Sequence, residues 1–181
     1  DTVFSYLTET VLFRGRWGYR RGKLTKEEYD ALLENQVRPE FDELKQRCKE
    51  EGLLIPKVVY GYYPCHSNGD QVIVYKPETQ EEWLRFNFPR QKEAPFKCVA
   101  DYFAPQSEPK DVIALQVVTV GQKAEQEAQR LYESNSYKDY LLFHGLSVEA
   151  AGALAEYVHL NIREELKITD EDGKSIEEFV T

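Results

Sequence analysis

Methionine is absent from all 181 residues, position 1 included, and cysteine occurs only three times, at positions 48, 65 and 98. Three thiols far apart, with no C-x-x-C pair, argue against a disulfide scaffold. They make a reducing compartment, and so a cytoplasmic location, the expectation. No apolar run approaches the roughly 20 residues that a membrane-spanning helix needs. The N-terminus lacks the basic-then-apolar layout of a secretion signal. There is no G-x-S-x-G, P-loop or G-x-G-x-x-G, so nucleophilic hydrolysis and phosphate cradling have no motif behind them. Basic residues are scarce beside acidic ones, 23 against 32, and the formal net charge is −9. That disfavours general adhesion to nucleic acid or anionic membrane. Histidine occurs at 66, 144 and 159. Only His66 neighbours a cysteine, and no ligand-pair spacing recurs, so no metal site is expected.

What is present suits a folded domain. Apolar residues make up 41% of the chain, near the globular norm, and the length suits a single domain over 1–181. Asp1 or Thr2 is placed to cap a first helix carrying Phe4, Leu7, Val11 and Leu12. The stretch Arg14–Lys23, rich in glycine and arginine, reads as a loop. Thr25 caps a second helix, with Tyr29, Leu32, Leu33, Val37, Phe41, Leu44 and Cys48 on one face. Pro39 should kink or split it without losing that face. Residues 57–88 read as an antiparallel meander, turning at Ser67-Asn68-Gly69-Asp70, with Leu84, Phe86 and Phe88 on one side of its third strand. Val112–Val120 is mostly apolar, which predicts a central fourth strand. Helices are expected over about 122–135 and 147–167. Grouped strands with helices at both ends give an α+β fold around an antiparallel sheet of about four strands.

Three places carry candidate chemistry. In Phe96-Lys97-Cys98-Val99-Ala100-Asp101-Tyr102-Phe103-Ala104-Pro105, one carboxylate stands among apolar and aromatic neighbours. A buried carboxylate needs a partner: a backbone amide, a basic side chain or a bound cation. A loop cap is the plain reading of Asp101. Arg14, Arg16, Arg20, Arg21 and Lys23 interleave with Trp17 and Tyr19, as in a single-strand nucleic-acid platform. The plainer account, an interhelix turn with its aromatics packed inward, fits the charge balance better. In the last helix Glu149, Gly152, Glu156, His159 and Arg163 recur at threes and fours and share a polar face. Ala151, Leu154, Val158, Ile162 and Leu166 make its core stripe. Mid-helix Gly152 is unfavourable by about 1 kcal/mol relative to Ala, which a close approach of another surface would explain. His144 precedes Gly145 at the helix entry and reads as a loop histidine.

Four stretches, in order, resemble the C-terminal activation (reactivation) domain of cobalamin-dependent methionine synthase. They are Leu12-Phe13-Arg14-Gly15-Arg16-Trp17-Gly18-Tyr19; Val58-Val59-Tyr60-Gly61-Tyr62-Tyr63-Pro64-Cys65 with Gly69-Asp70; the Asp101 segment; and His144-Gly145-Leu146-Ser147 with Leu154-Ala155-Glu156-Tyr157-Val158-His159. The resemblance implies a module that binds S-adenosylmethionine and supports reductive remethylation of cob(II)alamin. The parent enzyme would transfer methyl from 5-methyltetrahydrofolate to homocysteine. Asp101 matches the family's acid for the ligand α-ammonium. The last helix, with His144, Glu149, Glu156 and His159, would form a docking face for the cobalamin-binding domain. A flavodoxin-type or reductase electron donor is implied as partner. Zinc would belong only to other domains of the parent. The family's Arg followed by Gly-Tyr-Pro does not occur before Thr181. The chain, lacking an initiator Met and ending in Ile176-Glu177-Glu178-Phe179-Val180, is therefore expected to be an N-terminal portion of that domain. A docking module without a small ligand, and an RNA-binding fragment using residues 14–23, are the competing expectations.

Overall fold

The computed structural model describes residues 2–169. A cap from Asp1 and the pattern at 176–180 lie outside the described residues. The chain forms two compact units: Val59–Val117, and the residues on either side of it.

The flanking unit is helical. Thr2–Tyr6 forms a 3₁₀ turn and Val11–Arg16 a π-helical turn, so the single first helix expected from the sequence is two short pieces. The Ser5 hydroxyl donates to the Thr2 carbonyl at 2.7 Å, a local bond that competes with helix continuation. The π turn also takes in residues expected to be loop. Its wide i→i−5 closure puts the Trp17 N–H on the Leu12 carbonyl at 2.9 Å. α1 (Lys26–Leu32) opens with a full capping box: Thr25 Oγ1 accepts from the Glu28 N–H at 3.2 Å, and the Glu28 carboxylate accepts from the Thr25 N–H at 2.8 Å. α1 does not run on unbroken. A π turn over Leu33–Val37 leads into α2 (Arg38–Glu50), with Pro39 in its first turn, where a missing N–H leaves no bond unmade. Tyr29, Val37, Phe41 and Cys48 all remain buried.

α3 (Gln122–Glu133) and α4 (Tyr137–Leu166) complete this unit. α4 is 30 residues long and starts ten residues before the expected helix. Gly145, expected at the helix entry, lies inside it. The indole of Trp17 occupies the space beside it: a Cβ at 145 would lie 3.0 Å from Trp17 Cδ1 and Nε1. Trp17 Nε1 donates to the Leu142 carbonyl at 3.0 Å. Leu12, Phe13, Trp17, Val37, Phe41, Phe143 and Leu146 form one core cluster, with the rings of Phe13, Trp17 and Phe41 5.4–6.2 Å apart.

The sheet has four strands: β1 (Lys57–Asn68), β2 (Gln71–Tyr75), β3 (Glu82–Asn87) and β4 (Asp111–Thr119). Their order is β3-β2-β1-β4, and β1–β2 and β2–β3 pair antiparallel. The α+β expectation with an antiparallel sheet holds. The β1–β2 hairpin turns at Gly69-Asp70, where Gly69 has the φ of +59° that the first position of a tight primed turn takes. β4 is an edge strand, not the central strand expected. Its apolar content does not reflect burial on both faces, because Val112 and Val117 are exposed. Cys65, Val72, Val74, Cys98 and Ala100 form the core of Val59–Val117, and Leu84, Phe86 and Phe88 pack on it from one side. A fully buried Val such as Val72 or Val74 contributes about 1.5–3 kcal/mol.

Candidate functional site

Asp101 lies in a 3₁₀ turn, Val99–Tyr102, reached from β3 through the Phe88-Pro89-Arg90 segment and the loop after it. It is not buried as its apolar neighbours suggested: its side chain is 43% exposed. Two of the expected kinds of partner meet it together. Its Oδ2 accepts from the Cys98 N–H at 2.9 Å, the capping role. The Arg90 guanidinium forks onto it, Nη1 to Oδ2 at 2.8 Å and Nη2 to Oδ1 at 2.7 Å. Arg90 also donates to Asp70 Oδ1 through Nε at 2.9 Å and to the Phe96 carbonyl at 2.8 Å. The Arg90 bonds first, and the Cys98 N–H second, hold the Asp101 carboxyl down at about 2, so it is ionised at any physiological pH. Phe96, Val99 and Tyr102, on the same loop, are 54%, 49% and 70% exposed. An anion that stays charged thus stands beside apolar surface open to solvent.

The expected docking residues all lie on α4, but in different surroundings. His144 is a helical residue, not a loop residue. It is exposed, and its ring stacks on Tyr140 at 5.4 Å and 12°. Tyr140 in turn meets Tyr132, which meets Tyr137. Of these rings, Tyr132, Tyr140 and His144 line an open groove of about 840 Å³ between α3 and α4, which Val120, Ala124 and Ala128 also line. Glu149 is not a free surface acid: Arg16 Nε donates to it at 2.6 Å, and its side chain is 13% exposed. Glu156 and His159 are half-buried, and Glu156 Oε1 is buried with no hydrogen-bond partner among the described residues. Gly152 is exposed, and nothing lies within 4 Å of the space a Cβ would take. The close approach proposed to explain it is not made among the described residues. Leu154, Val158 and Ile162 are buried as the stripe requires, joined by Ala150 and Ala153, while Ala151 and Leu166 are only partly covered.

The basic stretch is built into the fold. Trp17, the stacking residue of any nucleic-acid platform there, is 5% exposed. Arg14 Nε donates to the Tyr29 hydroxyl at 3.0 Å, and the Tyr19 hydroxyl donates to Glu40 at 2.8 Å. The cysteines are buried free thiols, with burial raising Cys48 to about 11 and Cys65 to about 12. His66 Nε2 lies 3.0 Å from the Glu108 carbonyl. Among the described residues no three His, Cys, Asp or Glu are grouped to hold a metal, and no helix is long and apolar enough to cross a membrane.

Sequence reasoning missed Arg90 and the second role of Asp70. A lone acid in an apolar segment needs a partner, a basic side chain being one kind, and Arg90 is 11 residues upstream. Asp70 shows in the sequence as a turn residue and as part of the second resembling stretch, not as a partner of Arg90.

A family model described as vitamin B12 dependent methionine synthase, activation domain, matches residues 12–180. Methionine synthase of Mycobacterium tuberculosis is 39% identical over 183 residues, covering 95% of this chain and 15% of that protein. That of Mycobacterium leprae is 36% identical over 191 residues, covering 96% and 16%. The chain thus spans about 15% of the length of these curated relatives. A crystal structure of the MetH reactivation domain bound to AdoHcy matches 99% of this chain and 57% of that one, with a TM-score of 0.79 at 24% identity. That likeness establishes the shared fold. The family match over nearly the whole length places this chain in the activation-domain family of vitamin B12-dependent methionine synthase.

Proposed function

We propose that this chain is an S-adenosylmethionine-binding methionine synthase activation domain, one domain over 1–181. It serves reductive remethylation of a cobalamin held by a neighbouring domain of the same polypeptide. The observation that carries the reading is the activation-domain match over 12–180, which takes in the Asp101 turn. The crystal structure with the same fold holds AdoHcy, the product left when S-adenosylmethionine gives up its methyl group, and the two share the amino-acid end. Asp101 suits the α-ammonium of that end, and the exposed rings of Phe96 and Tyr102 suit contact with the face of an adenine. Cobalamin supplies the methyl acceptor when its domain is docked. This chain binds and orients the methyl donor, which is positioning rather than acid–base chemistry.

The α4 face with His144, Glu149, Glu156 and His159 is the docking surface in this reading. His144 and Gly152 are its exposed members, and Glu149 is held in place by Arg16. A flavodoxin-type or reductase donor supplies the electron. Family membership favours this account over a docking module with no small ligand. Buried free thiols fit a cytoplasmic setting.

Calorimetric titration of the chain with S-adenosylmethionine and AdoHcy tests the reading. Weak binding is expected, reduced about tenfold or more in Asp101→Asn. Failure of the wild-type chain to bind either ligand, or unchanged affinity in the variant, removes Asp101 from the site.

A further inference from the structure

We propose that Arg90 and Asp70 are positioning residues of the ammonium site: Arg90 fixes the Asp101 carboxylate and leaves it one open acceptor position, and Asp70 offsets the Arg90 charge so that the cluster remains net anionic. This inference rests on the reading of Asp101 as the ammonium partner. It follows from counting donors and acceptors. A guanidinium has five N–H bonds. Four donate here: Nε to Asp70, Nη1 to the Phe96 carbonyl and to Asp101 Oδ2, and Nη2 to Asp101 Oδ1; Nη2 also lies 2.8 Å from Asp70 Oδ1 as an ion pair. Arg90 thus has all three of its guanidinium nitrogens engaged with groups of this chain. Its part is to hold Asp101.

A carboxylate has about four lone-pair positions. Oδ2 of Asp101 fills both of its own, with Arg90 and the Cys98 N–H. Oδ1 fills one, with Arg90, among the described residues. One position on Oδ1 remains, enough for a single N–H of an ammonium group. The fork fixes the carboxylate plane, so that position is fixed in space as well.

Geometry alone would leave an electrostatic problem. Asp101 and Arg90 together are neutral, and a cation brought beside them gains little. Asp70, from the β1–β2 turn, adds a second negative charge on the adjacent Nε–Nη2 edge of the guanidinium. The cluster of two acids and one base then carries one net negative charge. All three side chains are between 36% and 49% exposed, so the cluster is open to a small ligand and to salt.

The test compares two ligands on the whole chain: AdoHcy, and 5′-methylthioadenosine, which has the nucleoside and thioether but no amino-acid end. Asp70→Asn should weaken AdoHcy about three- to tenfold at low ionic strength, with the loss shrinking in about 1 M salt. Arg90→Lys keeps the charge but loses the fork, and should weaken AdoHcy at every salt concentration. Neither should change methylthioadenosine binding. If Asp101→Asn weakens AdoHcy while Asp70→Asn and Arg90→Lys bind it like wild type, this inference falls and the Asp101 reading stands. Equal losses for both ligands would mean that the two residues only hold the loop together, which also overturns it. If wild type fails to bind AdoHcy, the reading beneath it falls, and the inference with it.

Discussion

The indole of Trp17 lies against Gly145 in the middle of α4, with its Cδ1 and Nε1 3.0 Å from where a side chain would begin. Trp17 is buried among Phe13 and Phe41 and tied to Leu142 by its N–H, so the ring has no room to retreat. Gly145→Ala should therefore lower stability. The overpacking cost of about 1–3 kcal/mol outweighs the gain of about 1 kcal/mol in helix propensity. Gly152→Ala in the same helix meets nothing within 4 Å and should raise stability by up to about 1 kcal/mol. Urea denaturation of both variants checks the pair. A stabilised Gly145→Ala would show that the indole can move.

Glu127 is buried between two arginines, bonded by Arg130 at 2.6 and 2.8 Å and by Arg47 of α2. The Arg130 bonds lead in holding its carboxyl down at about 2, against burial, which pushes the other way. An unfolded Glu titrates near about 4.3. The stabilisation is thus fully present above that pH and is lost as pH falls from about 4.3 towards 2. Glu127→Gln should lose about 1–3 kcal/mol at pH 7. Its stability should also fall less steeply than wild type below pH 4.5. Parallel stability–pH curves for the two proteins would contradict the assignment.

Thr25→Ala removes half of the capping box at α1 and should destabilise by about 1 kcal/mol, while Thr25→Asn should be nearly neutral. Thermal melts of the two variants decide this.

Short oligonucleotides should show no submicromolar affinity at physiological salt, since the stacking ring of the basic stretch is in the core. Fluorescence polarization measures this. A salt-sensitive signal abolished by changing the exposed Arg20 and Arg21 to Glu would reverse the conclusion.

The parts of this fold legible in the sequence were those fixed by neighbours in the chain. Thr25 with Glu28, the Gly69-Asp70 turn and the alternation of Leu84, Phe86 and Phe88 each encode their structure within a few residues. What could not be read depends on distant partners. Gly145 marks a helix entry when read locally, and only Trp17, remote in sequence, explains a glycine inside α4. The apolar content of β4 does not say which strands flank it. The same holds at the candidate site. Asp101 announced that it needed a partner, but only the folded loop selects Arg90, and only the hairpin brings Asp70 to the same guanidinium.

The π turn at Leu33–Val37 bears on how this helical segment tolerates changes in length. Tyr29 and Val37 are eight residues apart, which in an unbroken α-helix would set them about 80° apart around the axis. The wider turn absorbs one residue, so both are buried on one side. Removing the exposed Asn35 should therefore convert the turn to ordinary α-helix and leave Phe41 and Cys48 facing the core. The same deletion made beyond Pro39 would rotate everything after it by about 100° and turn those side chains away. In this part of the chain, a residue can be lost without disturbing the core only where the helix already carries one too many.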